Sequence, residues 1–183
     1  MGTLLFIATT TVLLASLQKY TSAKEAYETQ RRDVPDAFQM YAHLDDVLAV
    51  SDIDADGVFE CVEAVRTEYQ EDPKKATYVL LFKGHHGTEK KNVSFNISPG
   101  TTPDTITFYL DNDPEDTFEA QYLFTDYKTC CIVKGPYGGS DRCLLFVSKN
   151  MAENVPQPCL TNFADLCGVS VNLHSSELCP EVE

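Results

Sequence analysis

Between Ala76 and Phe124 apolar and polar residues alternate with a period of two, the pattern of strands that turn one face to a core. Ala76 to Lys83 places Tyr78, Leu80 and Phe82 on one face and Val79 and Leu81 on the other. Asn92 to Ser98 sets Val93, Phe95 and Ile97 against Asn92, Ser94 and Asn96. Thr105 to Leu110 offers Ile106, Phe108 and Leu110, and Phe118 to Phe124 offers Phe118, Ala120, Tyr122 and Phe124. Thr129 to Lys134 and Arg142 to Lys149 are near-continuous apolar runs, joined by the hairpin signal Gly135-Pro136-Tyr137-Gly138-Gly139-Ser140. With further strands predicted at Asp46 to Val50 and Val58 to Val65, the number reaches eight.

Helical spacing occurs near the ends only. Pro35 to His43 carries Ala37, Phe38 and Tyr41 with Asp33 as a candidate cap, and Pro158 to Leu166 carries Leu160, Phe163, Ala164 and Leu166. Short strands at regular intervals predict an all-β meander rather than βαβ units. Eight strands suit a small antiparallel up-and-down barrel, with a short N-terminal helix and a C-terminal helix packed outside. Its interior is just wide enough for one small ligand.

Composition adds a compartment. Leu4 to Leu17 is apolar but too short to span a bilayer, and it leads to the small residues Thr21-Ser22-Ala23. Residues 1–23 are therefore expected to be a signal peptide, residues 24–183 a single domain, and the protein secreted. Lys24 to Arg32 is a polar, mixed-charge arm. In an oxidising compartment the seven cysteines serve as cross-links. A formal net charge of −14 argues against nucleic acid and against anionic membranes. It suits a cationic ligand, a basic partner or simple solubility. A monomer is expected.

Several local motifs compete. Asp52-Ile53-Asp54-Ala55-Asp56-Gly57 with Glu63 satisfies the EF-hand calcium pattern. Its context favours an acidic Asp-Gly turn instead: the hand is single, position ten is Cys61, and the exit helix falls on a predicted strand. A weak calcium site on a non-EF loop stays open, as does a role for these aspartates toward an amine. Asn92-Val93-Ser94 and Asn96-Ile97-Ser98 are glycosylation sequons on the outward face of one strand, and one occupied site is expected. His85-His86-Gly87 is read as a polar turn, since His43 and His174 are far off, and no metal is expected. No nucleophile motif or phosphate loop is present, so neither enzyme activity nor a cofactor is expected.

The segments Cys130-Cys131-Ile132, Cys143-Leu144-Leu145-Phe146 and Cys159 resemble those of the tick salivary lipocalins, the histamine-binding protein family. That family carries C-D-[V/I/L], then E-L-[W/Y], then a helix cysteine. Asp36-Ala37-Phe38 looks like its opening D-A-[W/F], and Phe59-Glu60-Cys61-Val62 and Cys179 fall at its remaining cysteines. The resemblance implies a lipocalin barrel that sequesters a small host mediator, histamine or serotonin by default, and so suppresses host inflammatory defence. It also implies the bridges Cys61–Cys179 and Cys130–Cys159. Because neighbouring strand residues face opposite sides, Cys130 outward puts Cys131 inward with Leu144, leaving Cys143–Cys167 as the third bridge and Cys131 unpaired. The chain departs from the family at the two acids that hold the amine, which are Cys131 and Leu144 here. With Tyr78, Phe82, Phe95, Phe108, Tyr122, Phe124 and Phe146 also expected in the cavity, weight moves toward an eicosanoid, fatty acid or sterol. Asp52 and Asp54 are then the candidate counter-charges for an amine. A third reading puts function on the barrel surface, binding a host protein such as a complement component.

Overall fold

The structure, a computed structural model, describes residues 34–84 and 88–179. The expected signal peptide, the arm from Lys24 to Arg32, the Asp33 cap and the His85-His86-Gly87 turn lie outside the described residues. Eight strands run β1 (Asp46–Asp52), β2 (Glu63–Glu71), β3 (Lys74–Lys83), β4 (Lys90–Pro99), β5 (Thr105–Leu110), β6 (Thr117–Thr125), β7 (Cys130–Tyr137) and β8 (Ser140–Ser148). Each pairs antiparallel with the next, and β1 pairs with both β2 and β8, which closes the barrel. The expected eight-stranded meander is therefore the observed fold.

Helix α1 (Ala37–Tyr41) begins where the Asp36 carboxylate accepts from the backbone N–H groups of Phe38 and Gln39. It buries Ala37, Phe38, Met40 and Tyr41 against the barrel interior. The helix is shorter than the predicted Pro35 to His43. After β8 come a 3-10 turn (Lys149–Asn154) and α2 (Gln157–Cys167), whose Cys159 and Phe163 pack on the outer face of β7 and β8. Those two strands read as continuous apolar runs because both of their faces are covered. Among the described residues, no helix is long and apolar enough to cross a membrane.

Three local differences from the sequence reading have identifiable causes. The predicted strand from Val58 to Val65 starts only at Glu63, since Val58 to Cys61 form a turn. Cys61 has φ of 57°, is joined to Cys179, and gives its N–H to the Leu173 carbonyl. This diverts the chain from β1, and a ninth short strand, β9 (Val171–Asn172), takes the vacated edge opposite Ser51 and Asp52. The β7–β8 turn is tighter than the predicted six-residue loop. Pairing continues to Tyr137 and Ser140, and Gly138 and Gly139 turn the chain with φ of 63° and 84°. Finally, a register shift between Tyr122 and Phe124 breaks the alternation of β6.

Candidate functional site

The inward faces of the strands line a pocket whose empty space, open solvent at its mouth included, is about 780 Å³. Its closed end is built by α1. Tyr41 and Tyr122 hydroxyls lie 2.7 Å apart, and the Tyr78 hydroxyl donates to the Leu44 carbonyl. Burial raises the pKa of all three tyrosines, so their protons stay on. Cys131 sits beside them as a buried free thiol, pushed up to about 12 by burial and then by the charge of Asp126. Burial and the raised pKa both disfavour the reactive thiolate form.

The middle of the cavity is hydrocarbon and ring. Phe95 stacks on Phe108 with centroids 5.3 Å apart, and Leu144 and Phe146 of β8 complete the wall. Toward the mouth, Phe82 stacks on Tyr137 at 5.4 Å, and Phe59 packs edge-on to Tyr137 at 5.2 Å. Phe59 comes from the turn after β1, so that turn partly roofs the barrel.

Among the described residues, one charge reaches this wall. Arg142, 3% exposed, lines the cavity and pairs with Asp52 at the end of β1 and with two acids of the β1–β2 connection. Its Nη1 lies 3.2 Å from Asp52 Oδ2, 3.3 Å from Asp54 Oδ2 and 3.1 Å from Asp56 Oδ1, and its Nη2 lies 2.5 Å from Asp56 Oδ2. Its carbon stands 5.5 Å from the Phe59 ring centroid, a cation–π contact. Burial works against the guanidinium charge, but the Asp56 hydrogen bond and the charges of Asp56 and Asp52 outweigh it and raise the pKa. The Asp56 carboxyl is held below its ordinary range by the Arg142 hydrogen bond. Asp52, almost fully buried, is raised, because desolvation exceeds what the Ile53 N–H and Arg142 return.

Of the predicted cavity residues, Tyr78, Phe95, Phe108, Tyr122, Cys131, Leu144 and Phe146 line this space. Phe82 belongs to the interior cluster but lines a side recess at the mouth with Val58, Lys91 and Tyr137. Phe124 does not face the cavity. The bulge after Tyr122 turns it outward, where it packs with the α2 cluster. The candidate counter-charges Asp52 and Asp54 are engaged by Arg142, not open to the cavity. The same pairing answers the EF-hand pattern: a guanidinium sits among its three aspartates, while Glu63 turns away to Lys149 at 2.5 Å.

Disulfides join Cys61 to Cys179, Cys130 to Cys159 and Cys143 to Cys167. Among the described residues, the cluster with metal-ligand types in reach is Asp126 with Cys130 and Cys159, whose sulfurs are bonded to each other as a disulfide rather than available as thiolate ligands. Asn92 is exposed, whereas the Asn96 amide donates to the Asp111 carbonyl.

Sequence reasoning missed Tyr41, Phe59, Tyr137 and Arg142 as wall residues. Arg142 shares the inward parity of Leu144 and Phe146, and Tyr137 that of Cys131 and Val133, so both were open to detection. Phe59 lies on a turn, where parity carries no signal.

The family described as tick histamine binding protein matches residues 47–180. No curated protein matches the sequence. Similar solved structures include AM182 in complex with serotonin, with TM-score 0.58 and 14% identity, covering 81% of this chain and 95% of that one. Japanin from Rhipicephalus appendiculatus, bound to cholesterol, gives TM-score 0.51 and 11% identity, covering 77% and 95%. Apocrustacyanin C1 gives TM-score 0.54 and 14% identity, covering 86% and 87%. At these identities the likeness concerns the fold.

Proposed function

The chain belongs to the tick histamine-binding protein family, and from that premise we propose that it is a secreted, non-enzymatic sequestering lipocalin whose barrel takes an uncharged, largely apolar mediator. The observation that supports this reading is that, among the described residues, the wall of the main cavity carries no carboxylate. A buried ammonium without an anionic partner costs several kcal/mol, more than aromatic contact returns. The positions where the family is expected to hold an amine carry the thiol of Cys131 and the side chain of Leu144. Asp52, Asp54 and Asp56 are already engaged by Arg142 and do not line the cavity. The cholesterol complex of japanin supports the same ligand class for a barrel of this shape.

A second reading, amine capture, has one observation in its favour. Three aspartates surround a single arginine, so the mouth keeps an excess of negative charge. The serotonin complex of AM182 is the corresponding precedent. Calorimetry on oxidised, delipidated protein separates the two. Saturable one-to-one binding of cholesterol with no heat from histamine or serotonin is the expected result. Tight one-to-one amine binding, lost on protonating the carboxylates, would overturn the neutral-ligand reading. Secretion is supported by the three disulfides, and N-terminal sequencing of exported protein should begin at Lys24.

A further inference from the structure

Arg142 is the charged residue of the cavity wall, and its Nε is buried with no hydrogen-bond partner. The other guanidinium nitrogens are accounted for, Nη1 by Asp52 and Asp56 and Nη2 by Asp56, with Asp54 within ion-pair distance. A buried N–H on a charged group without an acceptor is uncommon, because it loses water and gains nothing in exchange. Here the orphaned donor belongs to a side chain that borders an apolar space large enough for a ligand.

We infer that Arg142 anchors the polar end of the ligand, and that this end is an uncharged oxygen acceptor: a carbonyl, ester or hydroxyl oxygen on an otherwise apolar molecule. This rests on the neutral-ligand reading above and narrows it. An anionic head at Arg142 would stand close to three carboxylates already gathered there, and a cationic head would face the guanidinium. A neutral oxygen meets neither repulsion and supplies the missing acceptor. The ligand body then runs inward along Phe95, Phe108 and Leu144.

The test uses three probes of one chain length on oxidised, delipidated protein: methyl palmitate, palmitate and hexadecane, followed by equilibrium dialysis. Methyl palmitate is expected to bind tightest, by about tenfold or more over hexadecane, the effect of one hydrogen bond to a charged group. Palmitate should bind more weakly than its ester. The Arg142→Lys variant keeps a cation for the aspartates but has no donor at the Nε position, and it should lose the advantage of methyl palmitate over hexadecane. Equal binding of ester and alkane by the wild type would overturn the anchor while leaving the apolar cavity in place. Palmitate binding as tightly as its ester would overturn the uncharged head. Failure of all three probes would overturn the neutral-ligand reading and this inference with it. Should the lysine variant not fold, the wild-type ranking decides alone.

Discussion

Asp52 and Asp56 contact the same guanidinium and yet titrate in opposite directions. Asp56 is partly solvated and gains more from the Arg142 hydrogen bond than burial costs it, so its folded pKa lies below the ordinary 3.8. It therefore adds stability above 3.8 that is lost as pH falls through its lowered value. Asp52 is buried and its folded pKa lies above 3.8, so its contribution is present below 3.8 and is lost as pH rises through the raised value. Urea unfolding of Asp52→Asn and Asp56→Asn from pH 2 to pH 7 should show opposite slopes. Relative to wild type, the Asp52 variant should gain as pH rises, and the Asp56 variant should lose. Parallel slopes would contradict the assignment. Cys131 offers a second test at this scale. With its pKa near 12 and its side chain buried, it should ignore a thiol reagent at pH 8 in the folded protein. One thiol, and no more, should react once the oxidised chain is unfolded in urea.

At the level of elements, the strand alternation explains most of the wall, and its interruptions explain the rest. In β3, Ala76, Tyr78, Leu80 and Phe82 are buried, with half-exposed residues between them, as the period requires. In β6 the bulge shifts the phase after Tyr122, so that Phe124 serves α2 instead of the ligand space. The β7–β8 hairpin depends on two left-handed residues in succession. A Cβ at Gly139 would meet nothing within 4 Å, so its substitution tests the backbone alone. Gly139→Ala should cost about 1–2 kcal/mol, read as a lower urea midpoint with an unchanged slope. That hairpin carries Tyr137 and precedes Arg142, so its register also places the mouth residues.

For the whole molecule, the Cys61–Cys179 bridge spans 118 residues and fixes the turn that holds Phe59 over the mouth. Replacing both cysteines by alanine should lower stability by about 2–4 kcal/mol. Hydrogen exchange should speed up at Val58 to Val62 before it does so in β3 or β4, whose ladders are untouched by the bridge. Much of this architecture is legible in the chain alone. Period-two alternation, hairpin residues and cysteine spacing are local signals, and they determine an antiparallel barrel and the inward side of each regular strand. Tertiary structure alone decided the fate of the acids at Asp52, Asp54 and Asp56. Their partner lies 86 to 90 residues away, as the Asp56 and Asp52 bonds show, and meets them only because β8 closes on β1. Local pattern reads the same three aspartates as a calcium loop, a turn or an amine site. The choice among these rests on which cation the closed barrel brings to them, and a barrel's closure is a property of all its strands together.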